Sequence, residues 1–113
     1  MDSKMISHGL QKEIIARLST KKPLKVILFG SAAWGDFNEG SDIDLIVVLD
    51  KEGIPCSFKE KTENFLEVSR LLRDMNKRIA IDLVVMTCTQ WERFIEMDSG
   101  FSRKVQEKGL LLI

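Results

Sequence analysis

A chain of 113 residues, 44% of them apolar, is the right size for one small domain with one core, expected to span residues 1–113. Seventeen basic residues balance seventeen acidic ones, which argues against a general nucleic-acid-coating role, so no direct nucleic-acid binding is expected. Cys56 and Cys88 have neither zinc nor disulfide spacing, no apolar run approaches the ~20 residues of a membrane span, and MDSKMISHGLQKEI has no hydrophobic signal core. Free thiols, no membrane partner and a cytoplasmic location are therefore expected.

In chain order, Ile6, Leu10, Ile14, Ile15 and Leu18 fall at helical spacing, predicting a helix over 5–18 that Lys21-Lys22-Pro23 ends. LKVILF, 24–29, reads as a buried strand stopping at Gly30, with one or two helical turns over 31–36. Asn38-Glu39-Gly40 is a turn signal, and Gly35 eases the exit from the short helix. DIDLIVVL, 42–49, is a second strand rich in β-branched residues. Residues 58–77 form the longest amphipathic segment, read as one helix, with Phe58, Phe65 and Leu72 at heptad spacing and Leu66, Ser69 and Met75 nearby on one side. IAIDLVVM, 79–86, is a third strand, apolar throughout except for Asp82. Thr89-Gln90-Trp91-Glu92 fits a capping box opening a further helix. Residues 99–108 form a last helical piece stopped by Gly109, and 110–113 a short edge strand. Strands alternating with helices indicate an α/β fold, a small mixed sheet flanked by helices.

Three aspartates stand in or at the start of strands expected to be buried: Asp42, Asp44 and Asp82. Asp42 and Asp44 project from one face of their strand. Neighbouring carboxylates repel unless a cation lies between them, and an oxygen-rich donor set suits magnesium. Ser31 stands just beyond the first strand, where a hydroxyl and free amides suit a phosphate, and Gly30 lets the backbone come close. The bland alternatives are a solvated turn capped by Ser41 and Asp42, and an Asp82 that pairs with Arg78 or Lys25. Trp91, Phe94 and Phe101 read as core or interface ahead of a base-binding platform, and Arg70, Arg73, Lys77 and Arg78 as a solvated helix face ahead of a contact with triphosphate or an acidic partner.

GSAAWGDFNEGSDIDL resembles the signature of the minimal nucleotidyltransferase (MNT) domains of the DNA polymerase beta superfamily: Gly-Ser, ten residues, then Asp-x-Asp. Gly30, Ser31, Asp42 and Asp44 match it, Asp82 matches the third family aspartate, and the resemblance covers 24–86 well and GLLLI loosely. It implies a polymerase-beta-like fold, two magnesium ions and ATP as donor. Asp42, Asp44 and Asp82 would be the metal-binding catalytic residues, and Gly30 and Ser31 would hold the terminal phosphates. Many relatives carry arginines soon after Gly-Ser, where this chain has Ala32, Ala33 and Trp34. Trp34 is weighed as core or partner packing ahead of base stacking.

The chain also resembles the MNT antitoxin of HEPN–MNT toxin–antitoxin modules. That implies AMP transfer to a tyrosine of a helical HEPN RNase toxin, with a homo-oligomer possible. Two other readings stay open. One is a non-catalytic antitoxin that occludes its partner, and the other a nucleotidyltransferase acting on an aminoglycoside-like small molecule.

Overall fold

The structure, a computed structural model, describes residues 7–34 and 42–113. The readings placed on Ile6, Gly35, the 38–40 turn and Ser41 lie outside them. Among the described residues four strands form one mixed sheet in the order β3-β2-β1-β4. β1 is Lys25–Phe29, β2 Ile43–Leu49, β3 Ile81–Thr87 and β4 Leu110–Leu111. β1 pairs antiparallel with β2 and β4, and β2 pairs parallel with β3. The mixed α/β fold and the edge strand at the C-terminal end are as the sequence suggests.

Helices cover both faces. On one side α1 (His8–Ser19) packs with α3 (Phe58–Ser69), a 3₁₀ turn at Arg70–Leu72 and α4 (Arg73–Arg78). They bury Ile14, Leu18, Val68, Leu72 and Met75 against Val26, Leu28, Ile43, Leu45, Val47 and Leu49. On the other side α5 (Cys88–Glu96) and α6 (Gly100–Lys108) set Trp91 and Val105 against Ile27, Phe29, Ile46 and Val48. A strand covered on both faces needs a continuous apolar run, which is why LKVILF and DIDLIVVL do not alternate.

α1 begins at His8 because the Ser7 hydroxyl accepts from the Leu10 amide at 3.2 Å. Lys22, at φ 51°, turns the chain out of it, and the Leu24 amide donates to the Val48 carbonyl at 2.8 Å to start the sheet.

Three expectations need correction. The helix expected over 58–77 is broken at the 3₁₀ turn, and its inward row is Asn64, Val68, Leu72 and Met75. Phe58 and Phe65 face outward instead, at 85% and 41% exposure. Leu72 and Met75 belong to both the expected and the actual side, so the register turns on Asn64, which accepts from Lys51 Nζ at 3.1 Å. The capping box opening α5 lies two residues earlier than expected. The Gln90 amide donates to Thr87 Oγ1 at 3.1 Å and the Thr87 amide to Gln90 Oε1 at 2.9 Å. Thr89 instead accepts from the Gly53 amide at 2.8 Å, tying the loop after β2 to α5. Gly109 stops α6 as expected, with an extended backbone (φ −68°). Its missing Cβ would meet the Val105 carbonyl, and Ile27 Cγ2 at 2.9 Å.

The third correction concerns β3. It is an edge strand with mostly half-buried side chains, not a buried one, and Asp82 on it is exposed. The Ile43 amide donates to the Ala80 carbonyl at 2.9 Å, which sets the ladder's phase. Even-numbered residues of β3 therefore bond to β2, and odd-numbered ones turn to the open edge. The Ile81 and Thr87 amides are taken by Asn76 Oδ1 and Gln90 Oε1 at 2.8 and 2.9 Å. Leu83 and Val85, between them, face an edge that no described strand pairs.

Candidate active site

The five residues singled out in the sequence lie together at one end of the sheet. Gly30 follows the last residue of β1, Ser31 opens the short helix α2 (Ser31–Trp34), and Asp42 immediately precedes β2. Asp44 is the second residue of β2 and Asp82 the second of β3. The sheet register places Asp44 directly between Phe29 on β1 and Asp82 on β3. Paired residues share a face. Asp44 and Asp82 therefore project from the side that carries Ile46, Val48 and the α5–α6 layer.

Gly30 is required here for two separate reasons. Its φ of 73° is left-handed, and a Cβ would overlap Asp44 Oδ2 and stand 3.1 Å from Asp44 Cγ. Its carbonyl accepts from the Ala33 amide at 3.0 Å, which closes the first turn of α2 and leaves Ser31 half-exposed beside the carboxylate.

Burial raises the pKa of Asp44 above its ordinary value, and the charges of Asp82 and then Asp42 raise it further. Asp44 thus senses both other carboxylates. Among the described residues no three His, Cys, Asp or Glu side chains are grouped closely enough to hold a metal ion as they stand. Arg78, the sequence candidate for neutralising Asp82, pairs with Glu13 on α1 instead. Lys25 lies at the opposite end of β1 from Asp44 and pairs with Val48. The donor set is of the kind that suits a hard divalent cation: carboxylate oxygens, half-buried at Asp44 and exposed at Asp42 and Asp82, with neither Arg78 nor Lys25 placed to compensate them.

A row of aromatic side chains runs from Phe29, at this end of the sheet, back along the α5–α6 face. Phe29 meets Phe101 edge to face at 5.6 Å, Phe101 meets Phe94 edge to face at 5.5 Å, and Phe94 meets Trp91 at 5.5 Å. Trp91 is core at 8% exposure, whereas Phe101 is 49% exposed. Spacing gives no sign of this difference, because Phe101 reaches the site only through Phe29.

The chain matches the family described as Polymerase beta, Nucleotidyltransferase over residues 12–108. No curated protein matches it. A solved structure, that of a "putative nucleotidyltransferase from Sulfolobus solfataricus", is similar at 24% identity with a TM-score of 0.51, covering 90% of this chain and 74% of that one. That likeness shows the fold. The family's domains generally use a nucleoside triphosphate and a divalent metal, and their common chemistry is nucleotidyl transfer. With the match running through nearly the whole chain, from α1 to the last residue of α6, the protein belongs to the polymerase beta nucleotidyltransferase family.

Proposed function

We propose that the protein is a magnesium-dependent nucleotidyltransferase that moves AMP from ATP to an acceptor hydroxyl. We take that acceptor to be a tyrosine of a helical HEPN-type toxin, so that the protein acts as an antitoxin. The observation that carries the transfer reading is the Asp44–Asp82 register pair with the Gly30 backbone pressed against it. The acceptor and the antitoxin role rest on the likeness of GSAAWGDFNEGSDIDL to antitoxins of this kind.

Asp42, Asp44 and Asp82 would hold the two magnesium ions, which when bound neutralise charge on the phosphoryl oxygens. The Gly30–Ser31 turn holds the β- and γ-phosphates through the Ser31 hydroxyl and backbone amides. Asp82, on the exposed edge strand, is the carboxylate an incoming hydroxyl reaches, and it takes that hydroxyl's proton. The hydroxyl oxygen bonds to the α-phosphorus, the α–β bridging bond breaks, and pyrophosphate leaves with its electron pair.

With labelled ATP, magnesium and the partner, wild type should add one AMP to the partner and Asp44→Ala none. Transfer to small alcohols, and to no protein, would shift the acceptor to a small molecule. A second reading, inhibition by occlusion, draws on the open edge at Leu83 and Val85, which a partner strand can extend. It would replace the first if Asp44→Ala still silenced the partner in cells.

A further inference from the structure

Phe101 opens α6 with its ring fixed and half its surface free. Phe29 and Phe94 hold it at interplanar angles of 70° and 71°, and it remains 49% exposed. Phe29 sits across from Asp44 in the sheet, and Phe94 lines a groove with Met86 of β3. The ring is therefore braced by both neighbours, and its contact with Phe29, the register partner of Asp44, sets it beside the face that bears Asp44 and Asp82. Arg103, two residues on, is engaged by Asp98 at 3.4 Å.

We propose that the open face of Phe101 is the stacking platform for the nucleobase of the donor nucleotide. This rests on the nucleotidyl-transfer reading above. A triphosphate held at Gly30–Ser31 leaves the nucleoside as the part still to be seated, and a planar apolar group is what a fixed, half-open ring accepts. The ring is already ordered by its two neighbours, so stacking loses little side-chain freedom. A π-face takes any base and rewards the larger ones. The site should therefore prefer purine over pyrimidine triphosphates and separate ATP from GTP only weakly.

The test is calorimetric titration of wild type, Phe101→Leu and Phe101→Trp with ATP and, separately, with inorganic tripolyphosphate, each with magnesium. Phe101→Leu should weaken ATP about tenfold and leave tripolyphosphate unchanged. Phe101→Trp should keep ATP affinity, with its fluorescence quenched by ATP and not by tripolyphosphate. The Trp variant also decides the matter should Phe101→Leu fail to fold. Phe101→Leu binding ATP as tightly as wild type, or losing both ligands equally, overturns the platform alone. Wild type binding neither ligand overturns the nucleotide site and the platform with it.

Discussion

Asp44 is held against its own preference. It is part-buried, faces Asp82 across the parallel ladder and follows Asp42 by two residues, and its pKa is raised by burial first and by those charges second. A carboxyl raised in the folded state favours folding when protonated, and works against it once pH passes the raised value. Asp44→Asn should therefore raise the melting temperature in chelator at neutral pH. It should also lower nucleotide transfer on the order of a hundredfold or more, through lost charge stabilisation. A variant that loses activity and melts lower would show that the carboxylate supports the fold instead. Gly30→Ala has the opposite signature. A left-handed φ and overlap with Asp44 should cost about 1–3 kcal/mol, read from urea denaturation, with activity lost as well.

At the scale of elements, α3 and α4 test which row holds the helical layer. Met75→Ala should cost about 2–5 kcal/mol, and Phe58→Ser should stay within about 0.5 kcal/mol, by urea denaturation. Thr87→Ala removes the α5 cap and should cost about 1 kcal/mol. These elements also show what was legible in the sequence. β1 and β2 were, because full burial writes an unbroken apolar run. Gly30, Ser31, Asp42 and Asp44 were, because the turn and the strand fix their spacing. Asp82's residue type was legible but its exposure was not, since an edge strand with half-covered side chains spells the same apolar string as a central one. The α3 register was hidden because Asn64 turns inward through a hydrogen bond from Lys51, a residue on another element. Phe101 was hidden because its place depends on how α6 crosses β1.

Across the whole molecule, two acidic residues bind the layer of α1, α3 and α4. Hydrogen bonds from Arg78 and then Arg17 lower the pKa of Glu13, against some desolvation. Burial raises that of Glu67, but hydrogen bonds from Lys51 and Lys21 outweigh it and lower it overall. Lowered carboxylates favour folding above their ordinary pKa, and that contribution is lost as pH falls through the lowered values. The urea midpoint should therefore fall as pH drops from the ordinary carboxylate pKa through the lowered values, and more gently in Glu67→Gln. β2 lies between β1 and β3 under helices on both faces, and Ile43 and Leu45, on either side of Asp44, are fully buried. Amide protons along 43–49 should then exchange with solvent only through global opening, the slowest in the chain. The protein thus anchors Asp44 to the part of itself that opens last, and leaves Asp82, on the border strand, to meet whatever arrives.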